Sequence, residues 1–174
     1  MNHSSGGQSP PEVETEPARP PWDPTGVLTM DALQRLLIKD ACCDLVLRAA
    51  ACADANDAPG LASLFAAEAT LTRPDGAVLR GREAIEAAYR LRPAERITRH
   101  LVTNIVVRIE ALDAAHVCSS VLLWSGSTED AAGPQGRRAH ACQIVGSFDD
   151  RCALTPDGWR FARRKATFAL HSGA

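Results

Sequence analysis

Apolar positions from Met30 onward recur at three- and four-residue intervals, at Cys42, Leu45, Val46, Ala49, Cys52 and Ala53, and define one buried face of a long helix. Thr29 is the expected N-cap, and the helix should end near Asp54, where Ala55-Asn56-Asp57 turns the chain. Asp44 and Arg48, four apart on another face, can pair in solvent. Asp57 should cap a short second helix carrying Leu61, Leu64 and Phe65, with Pro59 tolerated in its first turn. Residues 68–71 and 77–79 read as two short strands joined by Arg73-Pro74-Asp75-Gly76, a hairpin. Gly81 opens a third helix through Leu91, with Ile85, Ala88 and Tyr89 on one face and Glu86 and Arg90 paired on the other.

After Pro93 the pattern is that of strands, over roughly 97–111, 114–125, 138–153 and 158–170, with turn chemistry at Leu112-Asp113, Gly133-Pro134 and Pro156-Asp157-Gly158. Helices followed by long antiparallel strands predict an α+β fold, one curved sheet wrapped around the helices. Strands of this length bend at bulges, so a cone enclosing a cavity is expected. Residues 1–27 hold six of the eleven prolines and little to bury beyond Val13, Trp22 and Val27. Such a segment cannot offset its ordering entropy and is expected to be a disordered arm, leaving 28–174 as a single domain.

Composition narrows the function classes. Nineteen Lys and Arg against 21 Asp and Glu give a net charge of −2, which argues against a nucleic-acid or anionic-membrane surface. Aromatics are 5% of the residues, too few for a base-stacking platform. Six cysteines, at 42, 43, 52, 118, 142 and 152, contain no CxxC pair and follow no secretory leader; they read as small buried residues in a reducing cytoplasm. Phosphate-cradling glycine loops, HExxH and GxSxG are all missing, and the histidines at 3, 100, 116, 140 and 171 never stand at metal-ligand spacing. Neither a metal nor another cofactor is expected.

The run from Arg99 to Val107 puts polar groups into an apolar strand. Alternation places Leu101, Thr103, Ile105, Val107 and Ile109 on one face and His100, Val102, Asn104 and Val106 on the other. Valines beside His and Asn suit a cavity wall. The local alternatives are a His100 and Asn104 satisfied near a strand end, and an Asp54 that caps the turn after its helix. Trp124, Ser147 and Phe148 are further candidates for the pocket wall, while Arg160, Arg163, Arg164 and Lys165 read as a solvated basic edge or as partners of Asp149, Asp150 and Asp157.

The segments CCDLVLRAAACADANDAPGLASLFAAEATL, GREAIEAAYR, RHLVTNIVV and GSFDDRCALTPDGWRFARR together resemble the SnoaL-like branch of the nuclear transport factor 2-like (cystatin-like) superfamily. The resemblance covers about residues 31–170. It implies a cystatin-like cone and relatives such as scytalone dehydratase, bile-acid 7α-dehydratase, polyketide cyclases, ketosteroid isomerase and dioxygenase small subunits. In the dehydratases an Asp after the first long helix faces a strand His across the cavity, and the matching residues here are Asp54 and His100. The tyrosine that those enzymes place shortly before the Asp is replaced by Ala49, which removes the usual donor to a substrate carbonyl.

Asp54 and His100 would form a general acid/base unit, with the carboxylate fixing the tautomer of the imidazole. Elimination β to a carbonyl, isomerisation and ring closure all need that proton transfer. The expectation is a cofactor-independent lyase or isomerase acting on a small hydrophobic carbonyl compound, with Asn104 or a water as the replacement carbonyl donor. The alternative is a non-catalytic ligand-binding or subunit-assembly module. Homodimerisation through an apolar sheet face containing Leu101, Ile105, Val107 and Leu123 is expected in either case.

Overall fold

The computed structural model describes residues 30–173. The expected arm at 1–27, with Trp22, and the expected cap Thr29 lie outside the described residues. Helix α1 (Ala32–Asp54) starts at Asp31, whose carboxylate accepts from the Gln34 N–H at 2.7 Å while the Gln34 side chain accepts from the Asp31 N–H at 3.2 Å. This reciprocal box satisfies two helix-end donors, so Asp31 and not Thr29 is the cap. The predicted apolar face is buried and Ile38 extends it; Cys52, at its edge, is half-buried.

Asp57 caps α2 (Ala58–Ser63) by accepting from the Gly60 N–H at 2.9 Å. Phe65 was expected in this helix but begins β1 (Phe65–Thr72). The Phe161 N–H donates to the Leu64 carbonyl at 2.9 Å and the two phenylalanine rings pack at 5.1 Å, a long-range pairing that local periodicity does not carry. The expected hairpin forms with β2 (Val78–Arg80), followed by α3 (Arg82–Arg90) and the long strands β3 (Arg96–Ala111), β4 (Ala114–Ser127), β5 (Gln143–Thr155) and β6 (Gly158–Ser172). The third long strand starts at Gln143, not near 138, because the preceding residues form a loop pinned by a Gly133–Gly136 bridge.

The sheet order is β2-β1-β6-β5-β4-β3, and β1 lies parallel to β6, so the sheet is mixed where antiparallel strands were expected. The helices cover its concave side, forming an α+β cone. Among the described residues, no helix is long and apolar enough to cross a membrane.

Register explains where the expected alternation fails. His100 pairs with Leu123 and Val102 with Val121, but Val107 then pairs with Val117 and Ile109 with Ala115. Directly paired antiparallel residues share a face, so His100, Val102, Val107 and Ile109 all point to the concave side. The switch is a bulge between Thr103 and Val106, where Asn104 adopts φ 51°, a left-handed conformation that asparagine tolerates better than most residues. The apolar set expected at a dimer interface is therefore split by the sheet: Leu101 is exposed on the outer face, while Val107 and Leu123 turn inward.

A second irregularity constrains the opposite side of the cone. Gly146 sits beside a register shift against β6, and a Cβ there would lie 2.4 Å from the Thr167 carbonyl oxygen. Because that neighbour is backbone, Gly146→Ala should cost about 1–3 kcal/mol in denaturant unfolding. An unchanged midpoint would show that the β5–β6 pairing yields more readily than its register implies.

Candidate active site

The end of α1 and the start of β3 are tied by three groups. The Arg92 Nη1 donates to the Ala53 carbonyl at 2.9 Å, and the Asn56 amide donates to the Arg96 carbonyl at 3.2 Å. Between them Asp54, the last residue of α1, reaches across to His100: Oδ2 accepts the His100 backbone N–H at 2.8 Å and Oδ1 lies 2.5 Å from Nδ1. The turn after α1 uses Asn56, in the left-handed conformation, and Asp57 instead. Asp54 is thus not the turn cap that local reasoning allowed.

Asp54 and His100 side chains are 16% and 15% exposed. Burial pushes the imidazole below its ordinary pKa of 6.5; the hydrogen bond and charge of Asp54 pull it up, Arg92 and Arg164 push it down, and the net direction is downward. Near pH 7 the ring is therefore neutral. A carboxylate only accepts, so Nδ1 carries the proton and Nε2 keeps its lone pair. Nε2 has no hydrogen-bond partner among the described residues, and His100 lines a cavity of about 200 Å³.

The cavity lies between the helices and the concave sheet, with walls that include Ala49, Leu61, Leu71, Val121, Leu123 and Phe148. About 150 Å³ suffices for benzene, so the space suits one small ring with short substituents. Of the residues expected on its wall, His100 and Phe148 are there. Asn104 is exposed at the bulge. Trp124 pairs with Arg99 on the outer face, and Ser147 lies on that same face, its hydroxyl 3.1 Å from that of Thr167. None of these three lines the cavity, because the bulge and the strand register turn them away.

Three cavity residues escaped sequence reasoning. Tyr89, the chain's one tyrosine, was placed only on one face of α3 with Ile85 and Ala88; it lines the cavity and its hydroxyl has no partner among the described residues. Its uniqueness was the available signal. Arg92 lines the cavity three residues later, with its guanidinium 5.5 Å from the Tyr89 ring centre. Arg164 does pair with Asp150, but in the interior and not at a solvated edge: two bonds of 2.8 and 2.7 Å join them, and the guanidinium stacks 4.4 Å from Phe148 and 4.0 Å from Phe161.

The outer face gathers a separate polar cluster. His116 Nε2 lies 3.2 Å from Asp149 and 3.6 Å from the sulfur of Cys118, an exposed cysteine unlike the buried Cys42 and Cys152. Strand pairing brings together groups that sequence spacing kept apart. Arg108 and Arg163 contact His116 and Asp149, so cations already surround the cluster.

A family model described as a SnoaL-like domain matches residues 34–165. Among curated proteins, no relative matches by sequence. Solved structures with the same fold include a scytalone dehydratase-like protein from Novosphingobium aromaticivorans DSM 12444, 19% identical with a TM-score of 0.71 over 83% of this chain and 92% of that one. The LinA-type3 hexachlorocyclohexane dehydrochlorinase of Novosphingobium barchaimii LL02 is 18% identical, with a TM-score of 0.68 over 82% and 93% of the two chains. An NTF2-like protein with a cystatin-like fold from Novosphingobium aromaticivorans is 24% identical, with a TM-score of 0.62 over 79% and 86%. With the family model spanning most of the cone, the chain belongs to the SnoaL-like domain family, and it shares its fold with proteins described as NTF2-like.

Proposed function

We propose that the protein is a cofactor-independent lyase or isomerase that moves a proton on a small apolar carbonyl compound, with His100 as the base and Asp54 as its positioning partner. The observation that carries this reading is the Asp54–His100 pair itself, with Oδ1 2.5 Å from Nδ1 and Nε2 unpartnered among the described residues at the cavity. Elimination takes the following form. Nε2 removes the proton α to the carbonyl, the C–H electron pair passes through an enolate into the new C=C bond, and the β-hydroxyl leaves with the proton from His100 as water. Isomerisation would return the proton to another carbon. The dehydratase-like and dehydrochlorinase structures that share the fold agree with elimination chemistry.

An enolate needs a donor, and Ala49 cannot supply one. The Tyr89 hydroxyl takes that role in this reading, in place of Asn104. Tyr89→Phe should lower kcat on a β-hydroxy carbonyl substrate about a hundredfold, with KM changed little. Unchanged kcat would remove Tyr89 from the mechanism. The rate should also follow the depressed His100 pKa: kcat/KM rises with pH through a midpoint below 6.5 and is flat at neutrality.

The second reading, an assembly or ligand-binding module, is favoured by one observation. Leu101, Leu122, Val145 and Leu170 pair in a row across four strands on the outer face, with Leu101 55% and Leu170 68% exposed. Such a row suits a second copy of the chain and is compatible with catalysis inside the cone. A homodimer is expected, and Leu101→Asp with Leu170→Asp should convert it to monomer in sedimentation. A wild-type monomer at micromolar concentration contradicts the assembly.

A further inference from the structure

Among the described residues most arginines in ion pairs have an obvious counter-charge, as in Arg48 with Asp44, Arg90 with Glu86, Arg163 with Asp149 and Arg164 with Asp150. Arg92 does not. Its guanidinium lines the cavity, half-buried, and donates only to neutral acceptors: the Ala53 carbonyl, and Thr98 Oγ1 at 3.4 Å. Arg96, an exposed residue that also lines the cavity, joins none of the ion pairs among the described residues. Burial first, and then the charge of Arg96, push the Arg92 guanidinium pKa down against the opposing pull of Tyr89 and of the Asp54 carboxylate, which His100 already engages through two hydrogen bonds.

We infer that the cavity accepts an anionic substrate, an apolar compound bearing a carboxylate, with the carboxylate seated on Arg92 and Arg96 and the reacting carbon beside His100. The inference rests on the His100 reading for the chemistry and adds the substrate class. Three observations carry it. A guanidinium offers five donors in a planar fork that fits a carboxylate, and Arg92 spends two on neutral oxygens. A half-buried cation outside any ion pair is only partly solvated, and an anionic ligand supplies its counter-charge on binding. Position also fits: Thr98, beside Arg92, and His100 stand two residues apart on one strand face, about 6.5 Å along the strand, a span that a few carbons bridge. Of the other cavity arginines, Arg164 is paired with Asp150 and Arg73 with Asp75, which leaves Arg92 and Arg96 as the seat.

The test is calorimetric titration of the full chain with a matched pair, 4-phenylbutanoate and 4-phenylbutanamide, at low and high salt. The carboxylate should bind about tenfold or more tightly than the amide, with the preference shrinking as salt rises. Arg92→Gln and Arg96→Gln should each reduce that preference, and the double variant should abolish it while still binding the amide. Amide binding by the double variant shows that its fold and cavity are intact. Arg92→Lys should retain part of the preference, as a point charge without the fork. Equal binding of the two probes by the wild type, or a preference that survives in the double variant, overturns the anion seat. Binding of neither probe contradicts the seat and the apolar cavity together. The dyad is judged separately: His100→Gln should leave the carboxylate preference intact while abolishing turnover, so a failed seat and a failed base give different results.

Discussion

Asp54→Asn should reduce turnover by about three orders of magnitude, a larger effect than the loss of one charge suggests. The Asp54 carboxylate accepts two hydrogen bonds from His100, one from the backbone N–H and one from Nδ1–H. Asparagine has only one acceptor oxygen. The backbone N–H is a fixed donor and keeps that oxygen, so the amide NH₂ faces Nδ1. The ring then places its proton on Nε2, and the nitrogen that should remove the substrate proton becomes a donor. Comparable tautomer errors in catalytic triads cost about 10⁴-fold. Removal of the negative charge also leaves burial and the two arginines as the main influences on His100, so its titration should move further below 6.5. Turnover within a factor of a few of wild type would rule out the dyad. A stability effect accompanies the kinetic one. Because the folded-state pKa of His100 is depressed, the folded chain binds fewer protons than the unfolded chain between that value and 6.5. The stability linked to this residue is therefore fully present above pH 6.5 and is lost as pH falls through the window; His100→Gln should flatten that part of the stability profile.

The largest loss of stability should come from Asp150→Asn. Asp150 is 0% exposed and the Arg164 side chain 7%, with the guanidinium stacked on Phe148 and Phe161. Burial alone would drive the Arg164 pKa down, but the charge and hydrogen bonds of Asp150 outweigh it and hold the guanidinium protonated above its usual value. Without Asp150 the cation stays buried with no partner, which costs about 3–5 kcal/mol. For a domain of this size that corresponds to roughly 6–20 °C in Tm. Replacing both partners, as Asp150→Leu with Arg164→Met, should recover most of the loss, since the pair's desolvation cost is removed with it. If Asp150→Asn melts within 2 °C of wild type (no more than the shift expected for about 1 kcal/mol), water reaches the pair and the wall there is not closed.

Features written into neighbouring residues were readable in the sequence, and features made by distant pairing were not. The α1 face, the cap of α2, the Arg73–Gly76 turn and the inward side of α3 follow from local spacing, and all are present. Phe65 and the parallel β1–β6 pairing depend on residues about a hundred positions away. The Asn104 bulge removes a wall residue and moves Val107 inward, because one extra residue reverses every facing beyond it. Asp54 and His100 became a pair only through family resemblance, since each alone has an ordinary local explanation. Tyr89, Arg92 and Arg164 were not assigned to the cavity because nothing in their own segments indicates that they face it.

The most direct test of the account is the tautomer and titration of His100, read from its side-chain ¹⁵N shifts as a function of pH and assigned by comparison with His100→Gln. The account predicts a neutral ring at pH 7, with the proton on Nδ1, a lone pair on Nε2 and a midpoint below 6.5 that falls further in Asp54→Asn. A proton on Nε2 at pH 7, or a midpoint that Asp54→Asn leaves unchanged, would contradict it.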